Sequence, residues 1–437
     1  MKTKSYKPKK VAIVTLGCSK NTVDSEVILN QLENGKLNAE HENDKDADTI
    51  IINTCGFIEN AKQESIDTIL HYAEQKQLGN IEQLIVTGCL SQRYKDDLSP
   101  EIPEVDKWFG TFELPQLLSQ VGVDYKKELI GERKSSVAKH YAYMKISEGC
   151  DRPCSFCAIP LMRGKHVSRP IEELVDEAKS LVKNGVKEIM LIAQDSTYYG
   201  IDIFGERRLH ELLDRISDVE GLEWIRLHYA YPSKFPFEIL PIMNSKPNIC
   251  KYLDIPIQHI SDNVLKTMRR GITKRRTEDV LDRIKSEVSG IALRTTLLLG
   301  HPGEYEKEFD EIKDFVERYK FHRLGVFTYS HEDGTHAYTL EDHVAEAEKQ
   351  RRADEIMSMQ YDISYANNMK LVDTTQKVLI DRIEGDNYIG RTQFDSPEVD
   401  NEVIIPIDSG YLRVGDFVNA KIIEAEAFDL IAKPIII

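Results

Sequence analysis

SEGCDRPCSFCAIP, residues 147–160, carries Cys150, Cys154 and Cys157 at C-x3-C-x2-C spacing, directly behind the apolar stretch YAYMKI. Thiolates this close in sequence can converge on one metal centre, and soft sulfur selects zinc or an iron-sulfur cluster over hard cations. A closed structural zinc site takes four protein ligands. No fourth cysteine follows here, and the nearest histidine is His166, nine residues on. Three ligands to a four-iron cluster leave one iron open to a small molecule. The spacing favours a cluster over zinc, and either of these over unliganded thiols.

Outward from this stretch, strand-like and helical segments alternate. YAYMKISEG, EIMLIAQD, WIRLHYAY, LDIPIQH, ALRTTLLLG and RLGVFTYS are short apolar runs, each followed by a helical or loop segment. Such βα repetition predicts parallel strands covered by helices, and six units over about 200 residues predict a complete or partial barrel of the TIM type. Its chemistry belongs in the loops that follow the strands. We place this domain at residues 138–370, with a charged amphipathic helix near 340–370 packed on the exterior.

Residues 1–137 predict an α/β domain of their own. VAIVTLG, TIIINT and QLIVTG read as strands, and VDSEVILNQLE and ENAKQESIDTILHYAEQ have helical spacing, which predicts a parallel sheet. Cys18, Cys55 and Cys89 each follow one of these strands, with 36 and 33 residues intervening. One cysteine at a strand end reads as a small core residue. Three in register read as a second shared, three-coordinate metal centre at the end of the sheet where ligands gather. Cys250, in KPNICKYLD, has no such company and reads as structural.

Residues 376–437 change to short strands separated by turn residues, which predicts a small antiparallel β-barrel or a sandwich. This segment holds six basic against twelve acidic residues, a net charge of −6, and the whole chain is also acidic at −16. Gripping a phosphate backbone calls for basic surface, so the charge suits a basic protein partner better than nucleic acid. The basic run MRRGITKRR (268–276) reads as a solvated or internally paired face. The lysine-rich start, MKTKSYKPKK, leads straight into a strand and reads as a solvated end. Without an export signal or an apolar run of roughly 18 residues, the chain is expected in the cytoplasm and off the membrane. Its seven cysteines are then reduced thiols.

C-x3-C-x2-C with Phe156 before the last cysteine, at the first strand of a βα barrel, resembles the radical S-adenosylmethionine (SAM) superfamily. That resemblance implies SAM chelated at the open iron, and its reductive cleavage to a radical that abstracts a hydrogen atom. The order of three domains resembles the methylthiotransferases, whose carboxyl-terminal domain is called TRAM and whose second cluster, held by cysteines like Cys18, Cys55 and Cys89, carries the inserted sulfur. GCSKNTVDSE, NTCGFIENAKQESID, GCLSQRY, KISEGCDRPCSFCAIPLMRGKHVSR and LIAQDSTYYG are similar to the branch that modifies an aspartate of the small-subunit ribosomal protein S-twelve. Ser19, His301 and His331 depart from the family, which commonly has proline, phenylalanine and proline there.

The resemblance implies two 4Fe-4S clusters, SAM as methyl donor and radical source, an external reductant, and a ribosomal-protein substrate met on or near the ribosome. No tRNA substrate is expected. SAM contacts are expected from Phe156, from Gln194 and Asp195 at the end of the second barrel strand, from Arg226 and His228, and from Gly300, whose missing side chain would admit the cofactor. Gly303 and His259 are further candidates for the pocket lining. Asp195 as a helix cap, and Gly300 as a turn residue, are the plainer alternatives. Two rival functions stand beside this one: the same chemistry on tRNA, and an iron-sulfur electron carrier or sensor.

Overall fold

The computed structural model describes residues 10–133, 135–136 and 138–435. The expected solvated tail falls, up to residue 9, outside them. The chain divides into two compact units. The first takes the described residues before 138 together with Tyr143–Asp151 and Cys157–Asn184. The second takes Ala138–Ala142, Arg152–Phe156 and the described residues from Gly185 onward.

In the first unit, β1 (Lys10–Thr15), β2 (Asn38–His41), β3 (Thr49–Thr54), β4 (Gln83–Gly88) and β5 (Lys107–Trp108) form one sheet in the order β2-β1-β3-β4-β5. All its pairings are parallel. Every residue of β3 is buried, because helices cover both faces of a parallel sheet. Alternate residues feed two cores. Ile50, Ile52, Leu84 and Val86 meet Ile69 and Leu90, whereas Ile13, Ile51 and Ile85 meet Leu32 and Leu117. The covering helices include α1 (Ser19–Asn34), α2 (Glu59–Gln77), α3 (Cys89–Glu101) and α4 (Leu114–Gln120). With β1 flanked by β2 on one side and β3 on the other, the sheet has its topological switch point between β1 and β3. The two edge strands went unread because NAEH lacks an apolar pattern and β5 is two residues long.

β6 (Tyr141–Lys145) precedes the cysteine-rich stretch, which β7 (Ser147–Glu148) and β8 (Val167–Ser168) bracket as an antiparallel pair. Within that bracket lies α5 (Ile159–Arg163), and α6 (Ile171–Lys183) follows. The central sheet continues with β9 (Glu188–Ile192), β10 (Trp224–Leu227), β11 (Ile249–Asp254), β12 (Ala292–Leu299) and β13 (Arg323–Thr328). Its order is β13-β12-β11-β10-β9-β6, so the sheet stays open and is the partial form of the expected barrel.

The carboxyl-terminal strands β14 (Thr375–Glu384), β15 (Asn387–Arg391), β16 (Glu402–Pro406), β17 (Phe417–Ala425) and β18 (Asp429–Pro434) close into a barrel. The expectation of an antiparallel barrel needs one correction: β16 and β18 pair in parallel. Five strands closed in a ring cannot alternate direction throughout, so one neighbouring pair must run the same way.

This barrel packs on the central sheet through Leu379, Phe394 and Phe417 against Trp224, Tyr252 and Cys250. Several of its carboxylates point into that junction. Asp395 receives Arg323 Nε at 2.8 Å, and Asp400 receives Arg294 Nε at 3.2 Å and the Tyr252 hydroxyl at 2.8 Å. Part of the acidity read from the sequence is therefore internal. The basic run 268–276 is mixed in the same way: Arg269, Arg275 and Arg276 are exposed, whereas Arg270 is buried. The helix Glu346–Met369 does pack inward, through Arg352, Ala353 and Ile356.

Candidate metal centres

The three strand-end cysteines of the first unit lie at or beside its switch point, the place where a parallel sheet opens a crevice. Cys18 caps α1 and is exposed, Cys55 follows β3 and is buried, and Cys89 begins α3 and is buried. Two glycines permit the approach. Gly17 has φ of +90°, and an added Cβ there would lie 2.8 Å from Cys55 Sγ. Gly88 has φ of +98°, and its Cβ would lie 2.5 Å from the Thr54 carbonyl oxygen. L-residues with side chains avoid this region of φ, so the close packing of the strand ends is built into the sequence.

Asn21, fully buried, ties these ends together. Its Nδ2 donates to the Leu16 carbonyl at 2.7 Å and to the Thr54 carbonyl at 3.0 Å. Burial pushes the Cys55 thiol up and pushes Cys89 up to about 12; the Cys18 sulfur raises both further, while the Arg163 cation works against the shift in each. The three sulfurs thus share one electrostatic neighbourhood. Cys18 and Cys89 also sit at helix starts. A soft all-sulfur donor set in one crevice fits an iron-sulfur cluster. As placed, no three or more histidine, cysteine, aspartate or glutamate side chains among the described residues close into a set that could hold a metal ion.

Arg163, which sequence reasoning missed, stands at the centre of this site. It is 3% exposed, and its Nε donates to Cys89 Sγ at 3.2 Å. Nη1 pairs with Asp24 at 2.5 Å and with Glu148 at 3.3 Å, and Nη2 donates to Asn21 Oδ1. Lys145 joins the same carboxylates, Asp24 and Glu148. The only signal in the sequence was MRGKH, inside a motif singled out for its cysteines.

In the cysteine-rich stretch, the Cys150 amide donates to the Gly164 carbonyl at 3.1 Å. Cys154 Sγ lies 3.5 Å from the Tyr231 hydroxyl and 3.5 Å from Arg270 Nη1. Ser155 is held by its amide on the Met268 carbonyl, by its carbonyl under the Ala337 amide, and by its hydroxyl 3.2 Å from His301 Nε2. Phe156 meets His301 edge-on and packs with Met268, Leu298 and Tyr329.

Gln194 follows β9 and is half-buried. The other expected SAM contacts have structural partners of their own. Asp195 caps the turn Ser196–Tyr198 by accepting the Thr197 amide at 2.9 Å, and it pairs with Arg152 at 2.7 Å. Arg226 is buried on Glu188 at 2.9 Å and on the Gln393 carbonyl at 2.7 Å, and His228 Nε2 lies 3.1 Å from Ser396 Oγ. That face of β10 is covered by the carboxyl-terminal domain. Gly300, with φ of +78°, turns its α-carbon onto Lys349, whose Cγ would lie 2.3 Å from an added Cβ. Gly303 shares the positive φ but has more room. His259 Nε2 lies 3.4 Å from Glu304 Oε2 inside the core.

Comparison with known proteins bears on all three parts. Residues 10–110 match the uncharacterized protein family UPF0004, residues 144–316 the radical SAM superfamily, and residues 372–435 the TRAM domain. Among solved structures, the radical SAM methyltransferase TsrM from Kitasatospora setae superposes with a TM-score of 0.55 over 73% of this chain and 72% of that one, at 15% identity. That likeness is one of fold. A curated protein of Flavobacterium johnsoniae named ribosomal protein uS12 methylthiotransferase RimO is 56% identical over 99% of this chain and 100% of its own length. One of the same name from Cytophaga hutchinsonii is 57% identical over 98% of this chain and 99% of its own. With more than half its residues shared along nearly its entire length, the chain belongs to the RimO family of radical SAM methylthiotransferases.

Proposed function

We propose that this enzyme inserts a methylthio group at the β carbon of an aspartate in ribosomal protein uS12. The observation that carries the reading is the full-length similarity to relatives named for that activity. The family's cofactors are SAM and iron-sulfur clusters, which when bound supply one-electron reduction, hydrogen-atom abstraction, sulfur and a methyl group. In this reading Cys150, Cys154 and Cys157 hold the cluster that receives SAM, and Cys18, Cys55 and Cys89 hold the other.

The chain's own residues prepare the site around Cys154. Arg270 and the Tyr231 hydroxyl hold Cys154, and the three bonds of Ser155 fix the backbone between Cys154 and Cys157. Gln194 offers a polar side chain at a strand end, the position at which such sheets bind ligands. Asp195 acts one step removed, through Arg152, whose guanidinium stacks on Tyr231 at 4.1 Å. The carboxyl-terminal domain keeps Glu384, Asp386, Asp408 and Glu424 exposed, carboxylates that a basic substrate can meet.

The test is anaerobic reconstitution with iron and sulfide, followed by SAM, a reductant and a peptide carrying the uS12 loop. A mass gain equal to SCH3 replacing hydrogen on the peptide is expected, with none on tRNA; the reverse would overturn the substrate. Replacing Cys150, Cys154 and Cys157 by alanine should abolish SAM cleavage. The same change at Cys18, Cys55 and Cys89 should spare cleavage and stop sulfur insertion. Methylthio product from the latter variant would refute the division of labour.

A further inference from the structure

The Arg163 side chain is arranged in a way that ion pairing alone does not require. Its two terminal nitrogens already meet Asp24, Glu148 and Asn21. Lys145 supplies a second cation to the same two carboxylates, so two cations and two anions balance without any sulfur. The remaining nitrogen, Nε, has a single N–H, and it is directed at Cys89 Sγ at 3.2 Å. Both partners are buried, with Cys89 7% exposed, so water does not compete for this bond. A guanidinium cannot be deprotonated in a protein, which makes the donor permanent.

We infer that Arg163 is a positioning residue for the amino-terminal cluster, holding the Cys89 sulfur by a charge-assisted N–H···S bond that raises the cluster's reduction potential. The inference rests on the assignment of Cys18, Cys55 and Cys89 as cluster ligands. Reduction adds negative charge to a cluster, and hydrogen bonds to its sulfurs, together with nearby positive charge, stabilise that reduced form. Among the three ligands, Cys55 and Cys89 both feel the Arg163 charge, and Cys89 also receives its hydrogen bond. The Asp24 and Glu148 pairs fix the guanidinium in the plane that this bond needs. α5 brings it there as its last residue, after which Gly164, with φ of +67°, turns the chain away.

The experiment uses the full chain with Cys150, Cys154 and Cys157 replaced by alanine, so that one cluster loads. Iron content and an EPR-monitored redox titration are then compared for this parent, Arg163→Lys, Arg163→Gln and Arg163→Gln with Asp24→Asn. The double change removes a carboxylate that the glutamine would leave undercompensated, and so guards against misfolding. We expect about four irons per chain in all, a midpoint shifted to more negative potential in both glutamine variants, and an incomplete recovery with lysine, which keeps the charge but lacks the Nε donor. A midpoint equal to the parent's in lysine and glutamine variants that retain iron would overturn the inference and leave the cluster assignment standing. A parent without iron would overturn the assignment, and the inference with it.

Discussion

His301 shows how one buried residue carries a pH signature. Its ring is fully buried, and burial holds its pKa down at about 4. Nδ1 lies 2.9 Å from the Pro302 carbonyl and Nε2 faces the Ser155 hydroxyl, which fixes a neutral tautomer with the proton on Nδ1. A folded-state value below that of the unfolded chain means that stability is fully present above about 6.5 and is lost as pH falls toward 4. The full loss amounts to about 3 kcal/mol at a shift of this size. His301→Phe, which installs the residue common in the family, should flatten that part of the stability profile. Urea unfolding of both proteins at pH 7, 5.5 and 4.5 checks this, and parallel profiles would refute it. The residue scale is also where the sequence was least legible. C-x3-C-x2-C announced itself by spacing, whereas Arg163, Asn21 and Asp24 come together through tertiary contacts between distant segments. Arg226 and His228 were legible as one face of a strand, but nothing in their alternation says what covers that face.

At the scale of elements, the strands and their cysteines were largely legible, since VAIVTLG, TIIINT and QLIVTG correspond to β1, β3 and β4. The strongest signals were apolar runs too short for helices and bounded by glycine. The end of β12 illustrates what such a pattern hides. Gly300 looked like room for a ligand, yet the helix Glu346–Met369 fills that room with Lys349. Lys349 is fully buried, and its Nζ reaches Asp342 at 2.8 Å, Glu346 at 2.6 Å and the Tyr329 carbonyl at 3.2 Å. Gly300→Ala adds a Cβ at positive φ and against that stem. A loss of about 2 kcal/mol is expected, read as a lower thermal midpoint. An unaltered midpoint would show that the helix yields at this point.

Across the whole chain, the carboxyl-terminal barrel was predicted from turn spacing, but its junction with the central sheet was not. Glu188 on β9 takes Arg226 and, at 2.8 Å, Arg391 of β15, while Asp381 of β14 takes His140 at 2.9 Å. Removing one partner from a buried ion pair costs about 3–5 kcal/mol. A chain ending at residue 371 should therefore be poorly soluble and unfold at a markedly lower denaturant concentration than the full protein; an equally stable truncation would show that the sheet does not depend on the barrel. Asp395 and Asp400 answer particular arginines of the sheet, so the two parts fit like lock and wards. A homologous barrel without these two acids, transplanted here, would strand Arg323 beside no carboxylate and leave Arg294 with Asp254 alone. The inner face of the barrel is therefore not interchangeable: a graft would seal the sheet only if it brought acids to meet both arginines.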